Sequence, residues 1–448
     1  MPSDASSPTP LLLAVAHTVG SSQDLVTEIL QRLPVRSLIL FKSVSKHWRS
    51  LITNHPCFKN PNKPPDPPSG LFLPILFGYV FVPFDIYNRL VKFHRRTILR
   101  KIDPVPDIYF TSSSSNGLML CGSIIVTGDK LVIDKDYVYK SRGRKILHNI
   151  DPDIKFKHSC NGLMLFGNVM WTNDKLVTDK NYVFNPTINQ FIRLPVPSNV
   201  NNVLGMNIAF DPFKSPHYKV IYVYDDFDYG SGTYNYQIEV YSSNTRTCKP
   251  LYNLTIDRFS SDMNFSAGVY WNNAIHWIDG TGFIVYFDLD KDTSYEIKTP
   301  FAHRDLDCKN YICYICESRD QFLLVEIYHP HITKFKIFEL KRDYSDWLVK
   351  YLVDLEEFGE SLFPKTVSPP PFCSDALEFD VLSLVLGIDG DDEYFLVVEI
   401  PGKIMRLNLA SKTYHVLRTF GPSHRIKCEP ELYQWPNVYQ FAASLYSL

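Results

Sequence analysis

The chain has 448 residues, 45% hydrophobic and 21% charged, with 46 Lys/Arg against 48 Asp/Glu. That excludes a disordered chain, which needs low hydrophobicity and high net charge, and gives enough length for two or three domains with an apolar core. No apolar run reaches the roughly 18–20 residues of a membrane-spanning helix.

The charge is uneven. Residues 1–200 carry 24 Lys/Arg and 14 Asp/Glu, whereas residues 201–448 carry 22 and 34. Basic runs at 89–101 (RLVKFHRRTILRK) and 140–145 (KSRGRK) sharpen the first imbalance. Such runs meet phosphates or a nuclear importer, but no nucleic-acid reading motif accompanies them, and solvated strand faces and loops explain them more simply. Nine scattered Cys, an odd number in a large chain, argue against a disulfide framework and for a reducing compartment.

In chain order, residues 1–20 read as a disordered N-terminus. LLLAVA at 11–16 lacks the basic stretch that precedes a signal peptide's apolar core. Residues 21–58 then read as short helices. Ser21 or Ser22 is placed to cap the first, with Asp24 in its first turn. Leu25, Ile29, Leu30 and Leu33 recur at helical spacing, and Pro34 ends that helix and opens the next. Leu38, Phe41 and Val44 form a second stripe, and Trp48, Leu51 and Ile52 a third. A module this small leans on a neighbour or a partner, and on periodicity alone it reads as a helical cap on a larger domain.

Residues 24–58, DLVTEILQRLPVRSLILFKSVSKHWRSLITNHPCF, resemble an F-box: Asp-Leu, Glu-Ile-Leu, Arg-Leu-Pro, Ser-Leu, Phe-Lys, Val-Ser-Lys, Trp and Ser-Leu-Ile follow in order without gaps. The resemblance implies docking onto a Skp-type adaptor and, through it, a cullin. Carried over by position, it implies adaptor contacts from Leu25, Ile29, Leu30, Leu33, Pro34, Leu38, Phe41, Val44, Trp48 and Leu51. The chain departs from the family where Ser21-Ser22 replaces the usual Leu-Pro. An apolar anchor lost there, worth ~1.5–3 kcal/mol when fully buried, predicts weaker docking.

Six prolines in 55–68 mark a stiff linker, with residues 59–69 as the boundary. LFLPILFGYVFVPF at 71–84, broken by Pro74 and Pro83, reads as a buried strand pair. From about 70 onward short runs rich in Val, Ile, Tyr and Phe alternate with Gly, Asn, Asp and Pro. Examples are 218–226, 236–243, 268–278, 283–290, 322–329, 334–341, 394–400 and 403–409. Strands so regularly spaced over so long a stretch suggest a propeller.

Residues 116–138 match 161–183 at a constant offset, with 15 of 23 positions identical. Each copy reads as a hairpin, Asn-Gly preceding a Leu-Met-Leu strand, and the spacing suits one propeller blade. The strings SCNGLMLF at 159–166, VFNPTINQFIRLP at 183–195 and AFDPFKSPHYKVI at 209–221 resemble the F-box-associated, propeller-like domain of plant F-box proteins. So do GVYWNNAIHWI at 268–278, YFDLD at 286–290, CESRDQFLLVEIY at 316–328 and LVVEIPGKIMRLNL at 396–409. The expected fold is mainly β: a small N-terminal three-helix F-box followed by a β-propeller-like domain over 70–448, with 70–150 an atypical blade.

Candidate chemistry is sparse. Cys313 and Cys316 form a CxxC near Cys308 and His303, but YICYICES reads as a strand, where residues three apart face opposite ways. His329 and His331 flank Pro330 in a turn. The acidic runs 225–228 and 389–393 lack calcium-loop spacing and read as hairpin turns. No phosphate loop, nucleophile elbow or zinc-protease motif occurs. The expectation is therefore no catalytic residue, no metal and no cofactor. The partners expected are a Skp-type adaptor with its cullin and a target protein, in the nucleus or cytoplasm, and neither membrane nor nucleic acid. Two alternatives stay open: a propeller scaffold outside any ligase, and a propeller hydrolase, which requires acids or His converging on the channel with perturbed pKa values.

Overall fold

The computed structural model describes residues 22–33, 37–38, 41–42, 44–55, 68–75, 78–84, 124–127, 130–133, 154–168, 170–172, 175–178, 180–188, 190–197, 203–225, 235–255, 263–279, 282–300, 311–328, 334–358, 379–386, 394–400, 402–419, 438–442, 444–446 and 448. Among the described residues, two helices, α1 (Gln23–Gln31) and α2 (Lys46–Asn54), precede an assembly of strands broken by one 3₁₀ turn at Leu355–Phe358. Ser22 stands at the N-cap of α1 with no side-chain bond, whereas Ser45 caps α2 by accepting the Trp48 N–H at 3.1 Å. Between them, Lys42 N–H donates to the Leu38 carbonyl, one helical turn of the middle segment. Pro34 and its neighbours 35–36 lie outside the described residues.

Among the described residues, the strands assemble into five four-stranded antiparallel sheets, besides a three-stranded one and two hairpins. The first holds β5 (Ile154–Cys160), β6 (Leu163–Asn168), β9 (Asn181–Asn185) and β10 (Gln190–Arg193). The second holds β11 (Val203–Ala209), β12 (Lys219–Asp225), β13 (Asn235–Ser242) and β14 (Thr247–Thr255). The third holds β15 (Val269–Trp271), β16 (Ala274–Ile278), β17 (Phe283–Asp288) and β18 (Thr293–Lys298). The fourth runs β19 (Tyr311–Ser318), β20 (Gln321–Tyr328), β21 (Lys334–Leu340) and β22 (Trp347–Asp354). The fifth runs β23 (Asp380–Leu386), β24 (Tyr394–Ile400), β25 (Lys403–Asn408) and β26 (Tyr414–Thr419). The eight runs that the sequence marks as strands fall on β12, β13, β15 with β16, β17, β20, β21, β24 and β25, whereas β14, β18, β22, β23 and β26 are strands it does not single out. Their buried Val, Ile, Leu, Phe and Tyr pack between successive sheets.

A three-stranded sheet closes the ring. β1 (Gly70–Ile75) pairs with β2 (Gly78–Pro83) on one side and with β27 (Tyr439–Phe441), from the other end of the chain, on the other. This confirms the strand pair read at 71–84. Leu71, Leu73, Val82 and Phe84 pack on Leu382, Phe395 and Val397 of the fifth blade, while Tyr439 stacks on Phe156 of the first at 3.9 Å. The fold is thus a propeller of five four-stranded blades sealed by a mixed-terminus sheet.

Every seam between neighbouring sheets carries a hydrogen bond. Ile208 N–H donates to His158 Nδ1 (3.2 Å) between the first and second blades, and Gly268 N–H to Asn207 Oδ1 (3.0 Å) between the second and third. Trp271 Nε1 donates to the Asp320 carbonyl (2.8 Å), and Leu386 N–H to Ser318 Oγ (2.9 Å). Gln440 Nε2 donates to Ser383 Oγ (2.9 Å), and Tyr439 Oη to the Phe156 carbonyl (3.1 Å). Most of these groups are shielded from water, where an unmade bond costs more than a made one gains.

The duplicated segment gives one hairpin per copy: β3 (Ile124–Thr127) with β4 (Lys130–Ile133), and β7 (Met170–Thr172) with β8 (Lys175–Val177). In the second copy, Asn161 (φ 44°) and Gly162 (φ 87°) turn β5 into β6, the left-handed pair an Asn-Gly hairpin requires. The β7–β8 hairpin is inserted between β6 and β9. The matching Asn116-Gly117 lies outside the described residues.

Candidate functional site

In each four-stranded blade the first strand lies innermost and the chain meanders outward. First-to-second and third-to-fourth turns therefore share one face of the ring. Second-to-third turns and blade-to-blade connections share the other. β1 starts on the first face, where the chain arrives from the helices, and the segment after β27 emerges there too. The β7–β8 hairpin belongs to the opposite face.

The helical module packs Val26, Leu30, Leu38, Leu51 and Ile52 into a small core, with Leu33, Phe41, Trp48 and the C-terminal Leu445 against it. Phe41 and Trp48 meet edge to face at 5.3 Å. Sorting the ten expected contact residues by exposure divides them. Leu25 (46% exposed), Ile29 (46%) and Val44 (58%) stand in solvent. Leu33, Phe41 and Trp48 are half-buried, and Pro34 is outside the described residues. Leu30, Leu38 and Leu51 are buried and pack against one another between the helices. Leu25 and Ile29 form one i, i+4 ridge of α1, and Val26 and Leu30 the adjacent one that faces the core. Leu25 and Ile29 are thus neighbouring uncovered aliphatic side chains on α1, and Val44 is a third uncovered one in the same module.

At the first face of the propeller, the acids Glu317, Asp320 and Asp211 lie near enough to feel one another's charge. On the first face, burial pushes the Glu317 carboxyl up to about 7, and the nearby charges of Asp320 and Asp211 act in the same sense. Its Oε1 is engaged, accepting the Asp320 N–H at 2.7 Å across the turn. Cys160 Sγ donates to the Phe210 carbonyl at 3.3 Å, and burial holds the thiol neutral, the opposite of an activated nucleophile. Cys316 lies on β19, as the strand reading requires; it too is buried, its thiol raised well above the usual range. No three His, Cys, Asp or Glu among the described residues are arranged to hold a metal. Cys308, His303, His329, His331, both basic runs and the acidic run 389–393 lie outside the described residues.

The two described buried histidines are structural. His158 Nε2 donates to the Gly268 carbonyl at 2.6 Å while Nδ1 accepts from Ile208. Burial lowers its pKa to about 4. His276 Nδ1 donates to the Val269 carbonyl (3.2 Å) and Nε2 accepts from Tyr344 Oη (3.1 Å), its ring stacked on Tyr286 and Tyr344. Burial takes its pKa to about 3. Sequence reasoning missed His158, Asn207 and Leu445. Asn207 carried a signal, a polar residue inside the otherwise apolar strand VLGMNIA; His158, among Lys155, Lys157 and Ser159 on β5, and Leu445 carried none.

Residues 22–60 match the F-box domain, and residues 138–375 match the family described as F-box protein At3g26010-like, beta-propeller, more than half of the chain. The chain belongs to this family of F-box propeller proteins. It is also similar to F-box protein At5g07610 of Arabidopsis thaliana, 28% identical over 447 residues, covering 96% of this chain and 93% of that protein. Among solved structures, an acylaminoacyl peptidase in complex with Z-Gly-Gly-Phe-chloromethyl ketone aligns with a TM-score of 0.32 and 8% identity. The alignment covers 59% of this chain and 38% of that one. No helix among the described residues is long and apolar enough to cross a membrane.

Proposed function

We propose that this F-box propeller protein is the substrate-receptor subunit of a Skp–cullin–F-box ubiquitin ligase. The observation that carries the reading is the division of α1 and the following turn into two sides. Val26, Leu30 and Leu38 close the module's core, while Leu25, Ile29 and Val44 are left uncovered for an adaptor. The other adaptor contacts proposed on the F-box pattern are the half-buried Leu33, Phe41 and Trp48, which pack against that core, together with Pro34, Leu30, Leu38 and Leu51.

On this reading the chain contributes no catalytic residue. It binds the adaptor, and through it a cullin, with the F-box, and a target protein with the propeller. Catalysis by a linked conjugating enzyme is helped through proximity, the target lysine being held at high effective concentration. The propeller face opposite the F-box, which carries the blade-to-blade connections and the β7–β8 hairpin, is the surface proposed for the target, because connecting loops carry recognition on a rigid scaffold. The nucleus or cytoplasm is the proposed compartment, supported by nine scattered cysteines and no disulfide framework in the sequence.

The test is direct titration of the purified chain against a purified Skp-type adaptor. Micromolar or tighter binding that Ile29→Asp weakens supports the receptor. Absence of binding by the wild-type chain overturns it and leaves a free propeller scaffold.

A further inference from the structure

The chain beyond β27 makes two sets of contacts, with different bodies. Toward the propeller, Asn185 Nδ2 donates to the carbonyls of Ser444 (3.1 Å) and Tyr446 (2.7 Å). Ser444 N–H donates to Thr187 Oγ1 (3.0 Å), and Leu448 N–H to Gln190 Oε1 (3.1 Å). The Tyr446 ring packs on Phe210 at 4.6 Å. The fit is close: a Cβ on Gly162 would meet Ser444 Cβ at 2.4 Å. Toward the helices, Leu445, between these anchored residues, packs on the cluster of Val26, Leu30, Leu38, Leu51 and Ile52. It is the one member of that cluster, among the described residues, from outside 22–55.

We propose that the chain after β27, through Ser444, Leu445, Tyr446 and Leu448, is a strut that fixes the orientation of the F-box on the propeller. Covalently, the F-box joins β1 through the proline-rich segment 56–68. A tether without cross-contacts leaves a module free to swing over the span its length allows. Leu445 supplies the second attachment point, on the face from which β1 departs. Two separate attachments remove the rotations that one permits. The strut leaves Leu25, Ile29 and Val44 uncovered, so a docked partner and a seated Leu445 are compatible. The inference concerns the free chain and does not depend on what docks there.

The experiment is single-molecule energy transfer between dyes on non-canonical residues at exposed Thr53 and Glu296, in the full chain. The wild type should give one narrow distance distribution. Leu445→Ser should broaden it toward the spread of a free tether the length of 56–68, with near-UV circular dichroism of the propeller unchanged, because the backbone anchors of 444, 446 and 448 remain. Tyr446→Ala, which loosens the propeller side of the strut, should broaden it as well. A broad distribution in the wild type overturns the proposal. So does a wild-type-like narrow one in Leu445→Ser. Loss of the near-UV signal in Leu445→Ser also counts against it, since the residue would then serve ring closure and not orientation.

Discussion

His158 and Gly268 are 110 residues apart in sequence and two blades apart in the ring, yet His158 Nε2 donates to the Gly268 carbonyl at 2.6 Å. The other ring nitrogen accepts from Ile208 of the intervening blade. Asn207 extends the link, donating to the Phe265 carbonyl at 2.8 Å and accepting from Gly268 N–H. Trp277 Nε1 donates to the same Phe265 carbonyl at 3.1 Å. One imidazole and one amide thus tie three innermost strands together where water does not reach.

His158→Ala should therefore be among the costlier substitutions in the propeller. It removes two buried bonds, leaves a carbonyl and an N–H without partners, and opens a cavity. The expected loss is about 3–5 kcal/mol, read as a lower urea midpoint at unchanged slope. A loss under about 0.5 kcal/mol, typical of surface changes, would show that the His158 bonds do not hold these blades together.

The same histidine gives a pH dependence with a definite sign. Its pKa falls from 6.5 to about 4 on folding, and that of His276 to about 3, burial being the first cause in both. The unfolded chain then binds more protons than the folded one below pH 6.5. Stability is present in full above 6.5 and is lost as pH falls toward 4 and then 3. Glu317 acts oppositely: its pKa rises from 4.5 to about 7, so its contribution weakens as pH rises through that window. Urea midpoints between pH 4 and 8 should fall on acidification, and more steeply in Glu317→Gln, which lacks the opposing group. A flat profile in both proteins would contradict the assignment.

Gly268 is held at close quarters. A Cβ there would stand 2.3 Å from Asn207 Oδ1 and 2.7 Å from Trp277 Nε1, both committed to hydrogen bonds. Neither can yield without breaking the seam between the second and third blades. Gly268→Ala should cost about 2–4 kcal/mol, whereas Ala267→Ser, at the exposed neighbouring position, should stay within about 0.5 kcal/mol. Parallel thermal melts of the two variants decide the point, and equal melting temperatures would refute it.

Most blade strands were legible because a half-buried or buried strand writes itself locally, in β-branched and aromatic runs, and because Asn161-Gly162 and Asn272-Asn273 supply residues that tolerate positive φ. Ring closure was not legible. The pairing of Phe72 with Tyr439 joins short segments from opposite ends of the chain, and no local pattern records a partner so distant. The F-box was legible as a family pattern but not as a division of labour. Leu25 and Leu30 both satisfy helical spacing, and only the position of α2 decides that the ridge of Val26 and Leu30 is core. Leu445 lies in a segment without periodicity, so its contact with the helices depends wholly on the tertiary fold.

The closing seam can be graded. Tyr439 stacks on Phe156 and donates its hydroxyl proton to the Phe156 carbonyl. Tyr439→Phe keeps the stack and loses one bond, an expected cost of about 1 kcal/mol. Tyr439→Ala loses both and opens a cavity, about 3–5 kcal/mol. Because β27 completes the ring, hydrogen exchange should accelerate in the first blade, on β5 and β6, as well as in β1. Acceleration confined to β27 would mean that the blades do not depend on closure.

Ile29 and Leu30 are neighbours in sequence with opposite fates, 46% and 0% exposed. Ile29→Asp alters only the uncovered ridge, so the melting profile should be nearly unchanged. If an adaptor buries that ridge, losing one aliphatic anchor worth ~1.5–3 kcal/mol weakens binding about ten- to a hundredfold, more with a carboxylate left to desolvate. Leu30→Ala instead opens a cavity between the helices and Leu445, at about 2–5 kcal/mol of module stability, and weakens binding only through the loss of folded module. Calorimetric titration with the adaptor, run beside helicity measured by circular dichroism, separates the two routes. If Ile29→Asp binds as tightly as wild type while remaining folded, the docking patch does not lie along Leu25 and Ile29, and the side of the module nearer α2 must carry it.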